Sequence, residues 1–135
     1  MSTRQDETPE DNRPTAPLLR IAMTDVPHTA RVLHLHGEVD RDQRTALEVA
    51  LTRGVKDGPQ LLVVDLADLS FCDSTGLNAL LTARLEAQAN SVQLILAAPP
   101  SQLQRLLEIT GADEILTIRD SIQAALAKPT DAGAE

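Results

Sequence analysis

Val63-Val64-Asp65-Leu66-Ala67-Asp68-Leu69-Ser70-Phe71-Cys72-Asp73-Ser74-Thr75-Gly76-Leu77 joins an aliphatic run to an acidic stretch and then to a helical pattern. Leu61 to Val64 is continuously aliphatic, so Gln60 to Leu66 reads as a buried strand. Asp65 to Ser74 reads as the acidic loop leaving it. A helix opens at Asp73-Ser74 and runs to about Ala89, with Leu77, Leu81 and Leu85 at i, i+4, i+8 and Leu80 alongside. The stretch also holds the only phenylalanine, Phe71, and the only cysteine, Cys72.

Upstream, Pro17 to Val26 is an expected first strand with Leu19, Ile21 and Met23 on one face. After the link Pro27-His28-Thr29, residues Ala30 to Val39 alternate. Leu33, Leu35 and Val39 lie on one side, and Val32, His34, His36 and Glu38 on the other. So short a link allows an antiparallel hairpin and no crossover. Asp40 or Asp42 caps the next helix, whose stripe is Ala46, Leu47, Ala50 and Leu51, and Gly54 or Gly58 ends it. Downstream, Ser91 to Ala98 is a second buried strand, stopped by Pro99-Pro100. Ser101-x-x-Gln104 has the form of a capping box, Gly111 terminates that helix, Ile115 to Ile118 forms a last strand, and Asp120-x-x-Gln123 starts a final helix. The order β-β-α-β-α-β-α-β-α describes an α/β mixed sheet: four parallel strands with right-handed crossovers, an antiparallel first strand and about four helices.

Residues 1–16 and 128–135 lack apolar periodicity and read as a disordered N-terminal tail and a flexible C-terminal tail around one domain, 17–127. Of the net charge of −8, these termini carry −2 and −1, so −5 falls on the domain itself. An acidic surface is the opposite of what nucleic acid or an anionic membrane requires. One cysteine makes no internal disulfide, the N-terminus lacks a signal-peptide pattern, and no apolar run approaches the roughly 20 residues of a membrane span. The expected location is the cytoplasm.

Strand order alone brings two acidic segments together. Gly37-Glu38-Val39-Asp40 and Asp65 to Ser74 leave the C-terminal ends of adjacent strands, where open α/β sheets carry their binding sites. Asp40, Asp73 and Ser74 therefore belong on one rim. Ser74 also has a plain structural reading, since Asp and Ser before an amphipathic helix are ordinary N-caps. Gly76 sacrifices up to about 1 kcal/mol of helix propensity relative to alanine, which suits close approach to the backbone. Other chemistries are poorly supplied. Asp65 at a strand end suggests a response-regulator receiver, but the acidic pair and the lysine of that site are missing. Cys72 near a helix start would be an activated thiol only if exposed. His34-x-His36 has no third metal ligand nearby, and His28 reads as a turn residue. Asp-Ser-Thr-Gly is not a nucleophile elbow and has no histidine placed as base.

Two segments carry a family resemblance. Gly37-Glu38-Val39-Asp40, followed by Val64-Asp65-Leu66-x-x-Leu-x-Phe71-x-Asp73-Ser74-x-Gly76-Leu77, resembles the STAS domain of bacterial anti-sigma factor antagonists. Leu106-Leu107-Glu108-Ile109-Thr110-Gly111-Ala112-Asp113 is similar to a later segment of the same family, and the likeness spans about residues 17–127. It implies a non-enzymatic regulator without cofactor or metal. Such a protein binds an anti-sigma factor that is also a serine kinase, releases a sigma factor, is phosphorylated at the serine matching Ser74, and is restored by a serine phosphatase. By the same likeness Glu38, Asp40, Asp73 and Ser74 border the partner surface and Gly76 gives the partner close access. Thr75 is a second, less favoured acceptor, and Cys72 stands where a plain apolar residue is expected. The competing expectation is a STAS scaffold or accessory subunit of a larger signalling or transport assembly, with Ser74 unmodified.

Overall fold

The computed structural model describes residues 18–27 and 29–127. The expectations for the tails 1–16 and 128–135 and for His28 lie outside the described residues. Five strands form one sheet: β1 (Leu19–Val26), β2 (Ala30–Val39), β3 (Leu61–Cys72), β4 (Gln93–Ala97) and β5 (Thr117–Arg119). They lie side by side in chain order, with β1 antiparallel to β2 and the other pairs parallel. Four helices connect or follow them: α1 (Arg44–Val55), α2 (Ser74–Ala89), α3 (Ser101–Thr110) and α4 (Ile122–Leu126). The mixed α/β sheet is the architecture expected from the sequence.

Because the strands alternate, the sheet buries aliphatics on both faces. One face (Leu33, Leu35, Leu62, Val64, Leu66, Leu94, Leu96) packs against α1, α2 and α3. The other face (Val32, Val63, Ile95, Ala97) receives only α4, through Ala125, Ile122 and Leu126. The polar side of the β1–β2 hairpin stays open beside α4, and there His34 Nδ1 sits 2.9 Å from the buried Asp65 Oδ2. The Arg31 guanidinium bonds the carbonyls of Arg53, Gly54 and Lys56 at the end of α1, at 3.1, 3.1 and 2.9 Å. It thus serves the orphan acceptors that every helix C-terminus leaves.

Several local expectations change. The acidic stretch after Leu66 is no loop: β3 continues to Cys72 and stays paired with β2 through two register shifts, between His34 and His36 and between Gly37 and Glu38. Each shift places one extra residue in β3, so Leu66, Leu69 and Cys72 all face the core at a spacing of three. In α2 the buried face is Gly76, Leu77, Ala79, Leu80, Ala83 and Ala87, while Leu85 is 62% exposed. Small residues let α2 lie close to the sheet; of the expected leucine stripe Leu77 and Leu80 stay on the buried face, Leu81 is half-buried and Leu85 turns to solvent. α1 ends at Val55, before Gly58 and just after Gly54, whose missing side chain makes room for Leu62.

The capping box forms at Asp40 rather than at Ser101. Asp42 N–H donates to Asp40 Oδ1 and Asp40 N–H to Gln43 Oε1, both at 2.9 Å, which starts a 3-10 turn at Arg41–Gln43. Ser101 is instead the first residue of α3, after Pro100, and Gln104 reaches back to the Pro99 carbonyl. α4 is capped by Ser121, not Asp120. A 3-10 turn at Ala112–Glu114 delays β5 to Thr117, and Gly111 ends α3 in the left-handed conformation, as expected.

Candidate functional site

At the C-terminal edge of the sheet, Val39 and Cys72 are partners in register, and Asp73 N–H donates to the Val39 carbonyl at 3.1 Å. The chain therefore turns out of β2 and β3 side by side. Asp40, Arg41 and Asp42 from one turn, with Asp73, Ser74 and Thr75 from the other, line a shallow depression. Asp40, Asp73 and Ser74 are brought together. Glu38 is exposed but alternates with the buried Val39, so it points to the opposite sheet face and is not part of that lining.

Within the site the roles of Asp73 and Ser74 separate. Asp73 is the N-cap: its Oδ1 accepts from Thr75 N–H at 2.9 Å and from Gly76 N–H at 3.2 Å. Ser74 is the first helical residue and is exposed, whereas Thr75 is half-buried. The plain reading of Ser74 as the cap is thus taken by its neighbour. The hydroxyl is left at the positive end of a 16-residue helix, among three carboxylates and Arg41.

Beneath Ser74 the floor is tightly packed. A Cβ on Gly76 would lie 2.5 Å from Cys72 Sγ and 2.7 Å from Val39 Cγ1. Gly76 is buried, so the close approach it permits is that of α2 onto the ends of β2 and β3, not that of a partner onto exposed backbone. Burial, assisted by the charge of Asp73, pushes the Cys72 thiol up to about 12. An activated cysteine is overturned by this, since the thiolate is what reacts.

Asp65 lies in mid-strand, not at a strand end. It accepts from Ala67 N–H at 3.1 Å and faces His34, which removes the receiver-like reading. His36 is engaged by Arg20 instead, at 3.1 Å. Among the described residues no group of three His, Cys, Asp or Glu is placed to hold a metal, and no helix is long and apolar enough to cross a membrane.

Gln102 was not legible as a site residue. Its Oε1 accepts from Cys72 N–H at 3.0 Å and its Nε2 donates to the Cys72 carbonyl at 2.9 Å, tying the start of α3 to the residue before the cap. Nothing in local spacing marks a contact between residues 30 apart. Arg41, in the depression, was also missed, although it directly follows Asp40.

The STAS domain family model matches residues 21–125. The chain is 34% identical over 95 residues to the anti-sigma-F factor antagonist RsfB of Mycobacterium tuberculosis, covering 70% of this chain and 77% of that protein. The crystal structure of an anti-sigma factor antagonist from Mycobacterium paratuberculosis superposes with a TM-score of 0.73 at 26% identity, covering 80% of this chain and 91% of that one. The Bacillus SpoIIAA structure in phosphorylated form shares the fold, with a TM-score of 0.61 at 18% identity over 77% of this chain and 94% of that one. The chain belongs to the STAS domain family, whose members similar to it include anti-sigma factor antagonists.

Proposed function

We propose that this protein is a cytoplasmic anti-sigma factor antagonist that binds an anti-sigma factor with serine kinase activity. Binding releases a sigma factor, phosphorylation of Ser74 ends it, and a serine phosphatase restores it. The observation that carries this reading is the exposed Ser74 hydroxyl, relieved of capping by Asp73 and set on a rim with Asp40 and Asp42. The relatives named above support the partner class.

The charge arithmetic supports a switch. A phosphate adds about −1.5 to −2 charge at neutral pH. In a partly desolvated interface, like charges about 4 Å apart cost up to about 4 kcal/mol at an effective dielectric near 20. Half of that still weakens binding more than about tenfold. Within the free protein the α2 N-terminus offsets about 0.3–1 kcal/mol of the added charge. Phosphorylation thus acts on the complex far more than on the fold. Asp40 and Asp73 border the partner surface in this reading, whereas Glu38, directed to the opposite sheet face, stands outside it.

The test is a mass spectrum after incubation with ATP and the purified anti-sigma factor kinases encoded in the same genome. One added phosphate on Ser74 is expected. Label confined to Thr75, or no label with any of these kinases, would reject the assignment.

A further inference from the structure

The depression that holds Ser74 sets a charge problem for the protein itself. Its lining carries three carboxylates, those of Asp40, Asp42 and Asp73, and a single cation, Arg41. Two of the carboxylates are partly met by backbone donors: Asp40 Oδ1 accepts from Asp42 N–H, and Asp73 Oδ1 from the N–H groups of Thr75 and Gly76. A phosphate on Ser74 would bring about −1.5 to −2 charge to a rim that is already acidic. The α2 N-terminus offsets only a small part of that.

Arg41 is placed to offset more. It is the first residue of the 3-10 turn that follows the Asp40 cap, and it is exposed. The ion pairs among the described residues are Arg31–Asp25, His34–Asp65 and Arg44–Glu48, so within them the Arg41 guanidinium is committed to no carboxylate. The bond from Asp73 N–H to the Val39 carbonyl holds the two turns side by side, and Arg41 and Ser74 meet the same depression from different turns. A guanidinium presents paired N–H donors in a planar fork that matches the oxygens of a phosphate.

We propose that Arg41 is the internal partner of phosphorylated Ser74, its guanidinium taking the phosphate in charge-assisted hydrogen bonds and holding it against the protein's own surface. This rests on the antagonist reading and deepens its regulation. The three carboxylates make the phosphorylated rim costly, and Arg41 keeps that cost low for the free fold. A partner seated over the rim would have to desolvate the new ion pair as well, so the cost falls on binding. One cation among the acids thus separates the effect of the modification on the complex from its effect on the monomer.

Phosphoserine installed at position 74 of the full chain during translation tests this without a kinase, and phosphorus NMR reads the titration of its phosphate. The second ionisation of a phosphoserine lies at about 6. In Arg41→Ala it should move up by about half a pH unit or more relative to the parent, because losing a nearby cation disfavours the dianion. Arg41→Lys should restore part of the difference, as a charge without the fork. Arg44→Ala removes the cation just beyond the turn, which pairs with Glu48 instead, and should leave the phosphate unchanged. Phosphorylation should also lower the melting temperature by a few degrees more in Arg41→Ala than in the parent at about pH 7.5, and by less at about pH 5, where the monoanion prevails. Without phosphate, Arg41→Ala should melt within about 2 °C of the parent.

A phosphate that titrates alike in the parent and Arg41→Ala would overturn the proposal. An equal shift in Arg44→Ala would also overturn it, by showing only the general field of the molecule. Either result leaves phosphorylation of Ser74 itself intact, because the phosphate is installed. If the titration follows Arg41 but none of the anti-sigma factor kinases of the same genome labels Ser74, the pairing stands and the antagonist reading falls.

Discussion

Ser74 and its neighbours divide three tasks among consecutive residues. Asp73 caps the helix, Ser74 offers the hydroxyl and Cys72 fills the space below. Ser74→Ala is expected to keep partner affinity within a factor of about two, since it removes neither the cap nor a packed group. Ser74→Asp should weaken affinity more than about tenfold with little change in melting temperature. Calorimetric titration of both variants checks this, and equal affinities would contradict it. Cys72 makes a prediction of opposite character. Its thiol ionises near 9.0 in an unfolded chain but only at about 12 here. The folded state therefore holds a proton that the unfolded state loses. The associated stability is intact below about pH 9 and declines as pH rises toward about 12. Denaturant midpoints should fall more steeply with alkaline pH in the parent than in Cys72→Ala. Folded protein should also resist alkylation at pH 8 and react once denatured. At this scale the sequence was informative about Ser74, Asp73 and Asp40, because a serine beside an acidic cap leaves a local signature. Gly76 was expected to give a partner close access, but it is buried against the Cys72 and Val39 side chains, and a contact with Val39 across 37 positions leaves no such trace.

Among the elements, β3 explains where sequence reading stops. A strand announces itself by alternation, and two extra residues break the alternation twice, leaving the three-residue spacing of Leu66, Leu69 and Cys72. The acidic residues between them then look like a loop. α2 misleads differently. Leucines dominate its pattern, yet Gly76, Ala79, Ala83 and Ala87 are the residues that set its distance from the sheet. Two expectations test this packing. Gly76→Ala should cost about 1–3 kcal/mol by overpacking, and Cys72→Ala in the same chain should restore part of it, because Val39 still crowds the added methyl. A double-mutant cycle by denaturant unfolding measures that coupling, and strict additivity would locate the strain elsewhere. Asp73→Ala should cost about 0.5–2 kcal/mol through the lost cap, with Asp73→Asn losing much less.

Over the whole molecule, stability is unevenly spread. β2, β3 and β4 are the inner strands, and Leu33, Leu62, Val64 and Leu96 show no exposed surface. β5 has three residues and α4 five, closing only one side of the second face. In native-state hydrogen exchange the amides of Val64 and Leu96 should open only with global unfolding, while those of β5 and α4 exchange through local opening orders of magnitude faster. Equal protection throughout would show the short elements to be part of one cooperative unit. The arrangement of strands was legible because the links set it: three residues force a hairpin and helical links force parallel neighbours. The consequence of Gln102 belongs to this scale too. β4 pairs with β3 only as far as Asp65, so the next seven residues of β3 leave one side without a neighbouring strand. At the last of them, Gln102 supplies the donor and acceptor that a passing peptide would have offered. A side-chain amide thus stands in for a sixth strand. It occupies the last rung of that edge, beside Ser74, where a stray β-segment could otherwise add.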